Sequence, residues 1–217
     1  MDLTTIVGML CSMSSFSFQL VGINVCHGIV KKGSTGDMSP FTFISYFVAC
    51  AVWLKYGLMV QNTVVIATNS FGSILNFIYI IVFYRYSSKK PQFNQFLFLG
   101  AVMIVSPLVY IKHFQTDGQL ALSHLGSYCV CLTIIGYGAP LVSLSDIVHS
   151  KSTESLHFVL ILANFLLGLL WTLYGLLIAD RYVQVPNFLG AMLALIQLSL
   201  FAIYPRSSHS RSKVIHS

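Results

Sequence analysis

Charge is what this sequence has least of. Only 8% of its 217 residues are Asp, Glu, Lys or Arg, and the acids number six. Soluble proteins carry roughly 25% charged residues, and here 56% of the chain is hydrophobic, so a water-exposed globular domain is excluded and bilayer becomes the expected solvent. Metal and redox signatures are missing too. No H-E-x-x-H or similar cluster exists among the seven histidines, and the five cysteines (Cys11, Cys26, Cys50, Cys129, Cys131) come no closer to a motif than the C-x-C of Cys129 and Cys131. They read as small packing residues, and neither a metal nor a cofactor is expected. The central stretches hold no nucleophile–base pair, so no catalytic residue is named and an enzyme is not expected. No N-x-S/T acceptor occurs.

Long apolar runs are what the chain does have. A membrane-crossing helix needs about 20 mostly apolar residues, and seven such runs are read at 3–30, 41–60, 63–84, 95–111, 120–147, 157–178 and 182–204. The fourth is the shortest, while the first and fifth are long enough to tilt. The first lacks a basic flank and is too long for a signal h-region, so it is kept as a true span. Basic residues between the runs set the orientation. Lys31, Lys32, Arg85, Lys89, Lys90, Lys151, Arg206, Arg211 and Lys213 fall on one side, and Lys112 and Arg181 on the other. The N-terminus is therefore expected outside and the C-terminus in the cytoplasm. Lys55 is placed to snorkel from the second span. The net charge of +6 then reflects topology rather than a nucleic-acid partner.

A displacement of 118 residues superposes 1–86 on 119–204 without a gap. Gly8 meets Gly126, Cys11 meets Cys129, and Ser34-Thr35 meets Ser152-Thr153. "WLKYGL" from Trp53 meets "WTLYGL" from Trp171, and Asn69 and Gly72 meet Asn187 and Gly190. Such a fixed period signals structural repetition. The division is 1–86 for a first three-helix repeat, 87–118 for a linker helix with its flanks, 119–204 for a second repeat, and 205–217 for a basic cytoplasmic tail. An odd number of spans per repeat needs one extra helix if both repeats are to run the same way up. The expected fold is thus all-α and integral to the membrane, with two parallel triple-helix repeats joined by an inversion linker, one of the arrangements transporters use.

Depth selects the candidate site. Asn69 lies about seven residues past the turn at Gln61-Asn62, or roughly 10 Å into the bilayer at 1.5 Å per residue, and Trp53 comes eight residues before that turn. Tyr56 shares the Trp53 face one turn nearer the outside. Asn187, Trp171 and Tyr174 repeat the arrangement. A carboxamide supplies two donors and an acceptor, which matches vicinal hydroxyls. An indole covers the apolar face of a sugar ring and keeps its N–H for a hydroxyl. A neutral polyol is therefore the expected ligand of Asn69, Asn187, Trp53 and Trp171. A single buried asparagine is as readily an interhelical hydrogen bond, and W-x-x-Y-G could be a packing motif, but a symmetric pair with tryptophan partners at equal depth points to a site. Asn24, Asn76 and Asn164 lack that symmetry and read as packing. Pro186 removes an N–H and should kink the last span beside Asn187, supplying a hinge; Pro140 should do the same in the fifth span.

These motifs together resemble the SWEET family of sugar facilitators, its animal members in particular. The matching text is "KKGSTGDMSPF", "SKSTESLHF", "WLKYG", "WTLYG", "ATNSFG" and "VPNFLG". The resemblance implies bidirectional, energy-independent movement of mono- or disaccharides by alternating access. It implies substrate contacts at Asn69, Asn187 and Trp171, with Trp53 at the matching second-helix position, and an outer gate formed by Tyr56 and Asp180. The family's four inner prolines are matched only by Pro140. Gly22, Thr42 and His157 stand at the others, with Gly22 expected to supply flexibility as a hinge.

The residues agree with downhill transport, since a coupled pump generally needs an intramembrane carboxylate or histidine relay. The alternative is a carrier of another small neutral solute, with proton coupling as its variant. A seven-helix receptor is disfavoured by the repeat and the short loops. The expected partners are a sugar and the lipid bilayer, with a homo-oligomer allowed. The plasma membrane is the expected location, with the Golgi or another endomembrane as the alternative.

Overall fold

The computed structural model describes residues 2–154 and 156–204; the expectations for the basic tail fall outside that range. Among the described residues the chain forms α1 (Leu3–Lys32), α2 (Phe41–Met59), α3 (Thr63–Tyr86), α4 (Lys90–His113), α5 (Gly118–Gly136), α6 (Gly138–Ser150), α7 (Phe158–Leu177) and α8 (Arg181–Ile203). With α5 and α6 taken as one run, Gly118–Ser150, seven helical stretches are long and apolar enough to cross a membrane. Large apolar side chains stand exposed along them, among them Phe98 (69%), Ile135 (71%) and Val159 (78%). In water such surface would drive association; against lipid tails it costs nothing.

Two boundaries differ from the sequence reading. The fourth span is not short: α4 starts at Lys90, with a proline in its first turn, because a polar first turn lies ahead of the apolar run that was counted. It also carries Pro107, which cannot serve the Met103 carbonyl one turn back. The Tyr128 hydroxyl donates to that carbonyl at 2.8 Å instead. The fifth span is not one helix. It stops at Gly136 and restarts at Gly138, where the Tyr137 N–H bonds Ile134 O at 3.0 Å in a tightened turn, and Tyr137 O then accepts Leu141 N–H at 3.0 Å. Pro140 becomes the third residue of α6, inside the first turn, where a backbone N–H is not required. The break therefore lies ahead of the proline.

The chain divides into two compact units, Met1–Thr133 and Ile134–Ser217. In the first, α1 and α2 pack on α3, and α4 packs on α2; in the second, α7 and α6 pack on α8. Ile29, Ile44, Val48, Ile80, Phe83 and Phe93 form one core, and Ile147, Leu156, Ile161, Ala194 and Leu200 another. Ile29 and Ile147, equivalent under the 118-residue displacement, are both fully buried.

The connections repeat as well. Left-handed residues end α1 at Gly33 (φ 68) and α6 at Lys151 (φ 53). Gln61 and Ala179 share φ 54 at the next turn. Asn62 caps α3 by accepting from Val65 N–H at 3.0 Å. Its equivalent Asp180 caps α8 by accepting from Tyr182 and Val183 N–H at 2.9 and 3.2 Å. Side-chain caps of this kind satisfy amides that the first helical turn leaves open.

Candidate substrate site

In the first unit, Trp53 and Tyr56 meet edge to face on α2, their ring centroids 5.5 Å apart at 82°. Asn69 lies on α3, half-buried, and its amide donates to Val65 O at 2.8 Å. Beside it the Thr68 hydroxyl donates to Val64 O at 2.8 Å. In the second unit, Trp171 and Tyr174 repeat the edge-to-face pair at 5.8 Å and 89°. Asn187 on α8, also half-buried, donates to Val183 O at 2.7 Å. Each amide thus spends one N–H on the carbonyl a turn back, which orients the group and leaves its second N–H and its oxygen for a further partner.

The expectation that the indole N–H waits for a substrate hydroxyl needs correction at Trp53. Its Nε1–H donates to Thr133 Oγ1 at 3.2 Å, and the Thr133 hydroxyl donates on to Cys129 O at 2.9 Å. A polar hydrogen in a lipid-embedded helix is costly to leave without an acceptor. The Trp53 N–H thus already has a protein acceptor.

The W-x-x-Y-G glycines do serve close approach. A Cβ on Gly57 would lie 2.9 Å from Val65 Cγ1 and 3.2 Å from Ile66 N, and one on Gly175 would lie 2.7 Å from Gln184 N. Ile66 and Gln184 are repeat equivalents, so α2 meets α3 at the same register as α7 meets α8. Of the other two candidates, Tyr56 is buried (2% exposed), and Asp180 uses its carboxylate as the α8 cap.

Several contributors to these two half-sites differ in residue type between the repeats, so no shared motif marks them in the sequence. Thr68 occupies the position of Pro186, so both helices have their backbone ladder perturbed one residue ahead of the asparagine: by hydroxyl bonding in α3, by a missing N–H in α8. Position 19 pairs with 137 in the same way. A Cβ on Gly72 would strike Gln19 Nε2 at 2.5 Å and Cys50 Sγ at 2.7 Å, and a Cβ on Gly190 would strike the Tyr137 hydroxyl at 2.5 Å. The equivalent of Cys50 is Gly168, so a glutamine with a cysteine fills in one repeat what a tyrosine with a glycine fills in the other. The signal was present in the alignment but visible only with the three positions read together.

A family described as "Sugar efflux transporter for intercellular exchange" matches residues 5–91 and 123–209, two stretches at the same 118-residue displacement. Sugar transporter SWEET1 of Drosophila pseudoobscura pseudoobscura is 38% identical over 192 residues, covering 88% of this chain and 85% of its own. The chain belongs to the SWEET family. As a member it is a membrane transporter and not an enzyme. The bidirectional sugar transporter SWEET7b of Oryza sativa subsp. japonica is 30% identical and covers 93% of this chain and 78% of its own. A solved eukaryotic SWEET transporter superposes with a TM-score of 0.81 at 24% identity, over 95% of this chain and 100% of that one, so the seven-span fold is the SWEET fold.

Within that fold, Gly22 has a packing reason. A Cβ there would lie 2.4 Å from the Tyr79 ring, whose hydroxyl donates to Gln19 O at 3.0 Å, and α1 runs through the position without a break. The equivalent pair is Pro140 and Gln197, joined by Gln197 Nε2–H donating to Pro140 O at 3.3 Å. A glycine facing a tyrosine thus stands where a proline faces a glutamine. Gly22→Ala is expected to lower the melting temperature by several degrees, for an overpacking cost of about 1–3 kcal/mol. Tyr79→Gln in the same chain should cost less than it does alone. Differential scanning fluorimetry of the four proteins checks this, and strict additivity would separate Gly22 from Tyr79.

Proposed function

We propose that this SWEET moves mono- or disaccharides down their own gradient, in either direction, by alternating access and without ion coupling. The observation that carries the reading is the doubled half-site. An asparagine tied to its own helix and an edge-to-face Trp–Tyr pair on the helix packed against it recur in each repeat, a donor–acceptor amide and an aromatic ring being the two groups a neutral sugar requires. Asn69, Asn187, Trp53 and Trp171 are assigned to the substrate, and Tyr56 and Asp180 to the outer gate. Pro140, Pro186 and Gly22 are assigned to bending, with the N-terminus outside and the plasma membrane as the working location. Support for a sugar as cargo comes from relatives named as sugar transporters.

Support for uncoupled transport comes from where the carboxylates lie. Asp2, Asp37, Asp117, Asp180 and Glu154 stand outside the helices, and Asp146 lies in the last turns of α6. None is at mid-span, where a proton or cation relay would be expected. Labelled glucose and sucrose uptake into proteoliposomes is the test. Uptake should follow the sugar gradient, run equally in both directions, and change by less than about twofold when a pH gradient of one unit is imposed. Uptake driven by the pH gradient alone would establish coupling. No uptake of either sugar by folded protein would redirect the assignment to another small neutral solute.

A further inference from the structure

Tyr137 stands between α5 and α6 and caps the start of α6. Its hydroxyl donates to Pro186 O on α8 at 2.6 Å. Its ring occupies the space that Gly190 leaves, where a Cβ would come within 2.5 Å of the phenol oxygen and 3.0 Å of the ring carbon bearing it. Pro186 and Gly190 bracket Asn187. From α7 the same turn is approached through Gly168, where a Cβ would be 3.1 Å from Asn187 O and from Ala191 N. The turn of α8 that carries Asn187 is therefore held on one side by α7 and on the other by the joint in the fifth span.

The phenol bond is not needed to satisfy its acceptor. In an α-helix Pro186 O already accepts from the N–H of Gly190, so the hydroxyl adds a second, short bond to a carbonyl that has one. The turn that ends at Pro186 lacks a ladder bond, because Pro186 has no N–H to give the Tyr182 carbonyl, and an outside donor on Pro186 O anchors α8 where that loosened turn ends. The first repeat shows the contrast. Gln19, at the same position, accepts from Asn76 Nδ2–H at 2.9 Å and donates to Cys50 Sγ at 3.7 Å, and α1 is continuous through it. A joint tied to the asparagine turn is specific to the second repeat.

We propose that Tyr137 is a positioning residue for substrate: by binding the α5–α6 joint to the Pro186 carbonyl, it sets the α8 turn bearing Asn187, so that sugar affinity depends on its hydroxyl. This rests on the assignment of Asn187 to the sugar. Tyr137→Phe keeps the ring against Gly190 and removes the hydroxyl that donates to Pro186 O.

The experiment uses the full chain in proteoliposomes, with whichever of glucose and sucrose the wild type transports faster. It compares wild type, Tyr137→Phe, Asn187→Ser and the double variant, reading the half-saturation concentration and the melting temperature. Tyr137→Phe is expected to raise half-saturation about fivefold, the scale of one hydrogen bond, with melting unchanged within about 2 °C. On the Asn187→Ser background it should add less than about twofold, because the residue it positions has changed. Unchanged half-saturation in Tyr137→Phe, a matching loss of melting temperature, or the full fivefold effect on the Asn187→Ser background would each overturn the positioning role. If Asn187→Ser itself leaves half-saturation unchanged, the assignment of Asn187 has failed, and that outcome is distinct from the first three.

Discussion

Sugar uptake is expected to fall at least about tenfold when Asn187 is replaced by alanine, while the protein stays folded and inserted. Tenfold corresponds to about 1.4 kcal/mol, within reach of losing the hydrogen bonds of one amide to a desolvated ligand. Folding should survive for a structural reason. The amide donates to Val183 O, which in an α-helix also accepts the backbone N–H of residue 187. Removing the side chain therefore leaves no buried acceptor without a partner, and the half-buried site loses little packing. Asn76 is the informative contrast. It is 2% exposed and ties Gln19 Oε1 to the α3 carbonyl of Gly72. Asn76→Ala removes the donor to Gln19 Oε1 and should cost about 1–3 kcal/mol of stability with sugar affinity preserved in what remains folded. Uptake and melting measured on both variants separate the roles. Normal transport by a stable Asn187→Ala protein would refute its assignment to the sugar.

The repeat, the spans and the W-x-x-Y-G register were legible because each rests on periodic placement of residue types, which a displaced alignment exposes directly. The use of Gly57 and Gly175 for close approach followed from the motif for the same reason. What could not be read was compensation between positions. Nothing in "FQL" or "GYG" says that α1 runs straight where the fifth span breaks, because a proline constrains only the turn before it and can equally sit in the first turn of a new helix, as Pro140 does. Gly22 suggested flexibility on its own, and its second use, as the space for the ring of Tyr79 57 residues away in sequence, left no local mark. Trp53 likewise looked ready to donate until Thr133, on another helix, proved to be its acceptor. In each case the missing term was a side chain brought in by tertiary packing, which local pattern does not encode. The gate assignment of Tyr56 and Asp180 came from family resemblance, since no local sequence pattern pairs the two; the capping use of the Asp180 carboxylate was equally invisible there.

Gly175→Ala is expected to be among the most damaging single-methyl changes in the second unit, and clearly worse than Gly57→Ala. The added Cβ would sit 2.7 Å from Gln184 N, 2.8 Å from its Cα and 2.9 Å from its Cβ. Backbone atoms cannot rotate aside, so α7 must move off α8 along the contact that organises the unit, at a cost toward the upper end of about 1–3 kcal/mol. For a chain of this size that is a fall of several degrees in melting temperature. At Gly57 the closest atom is Val65 Cγ1, at 2.9 Å, and the nearest backbone atom, Ile66 N, is at 3.2 Å, so part of the strain is carried by a side chain that can be trimmed. Val65→Ala should therefore recover part of the loss in Gly57→Ala. Gln184→Ala should recover none in Gly175→Ala, because the atoms in conflict remain. Transport should fall together with stability in Gly175→Ala, since Trp171 and Tyr174 ride on the displaced helix, unlike the isolated transport loss expected for Asn187→Ala. Equal costs at Gly57 and Gly175, or rescue through Gln184, would mean that the glycines are not there for backbone approach.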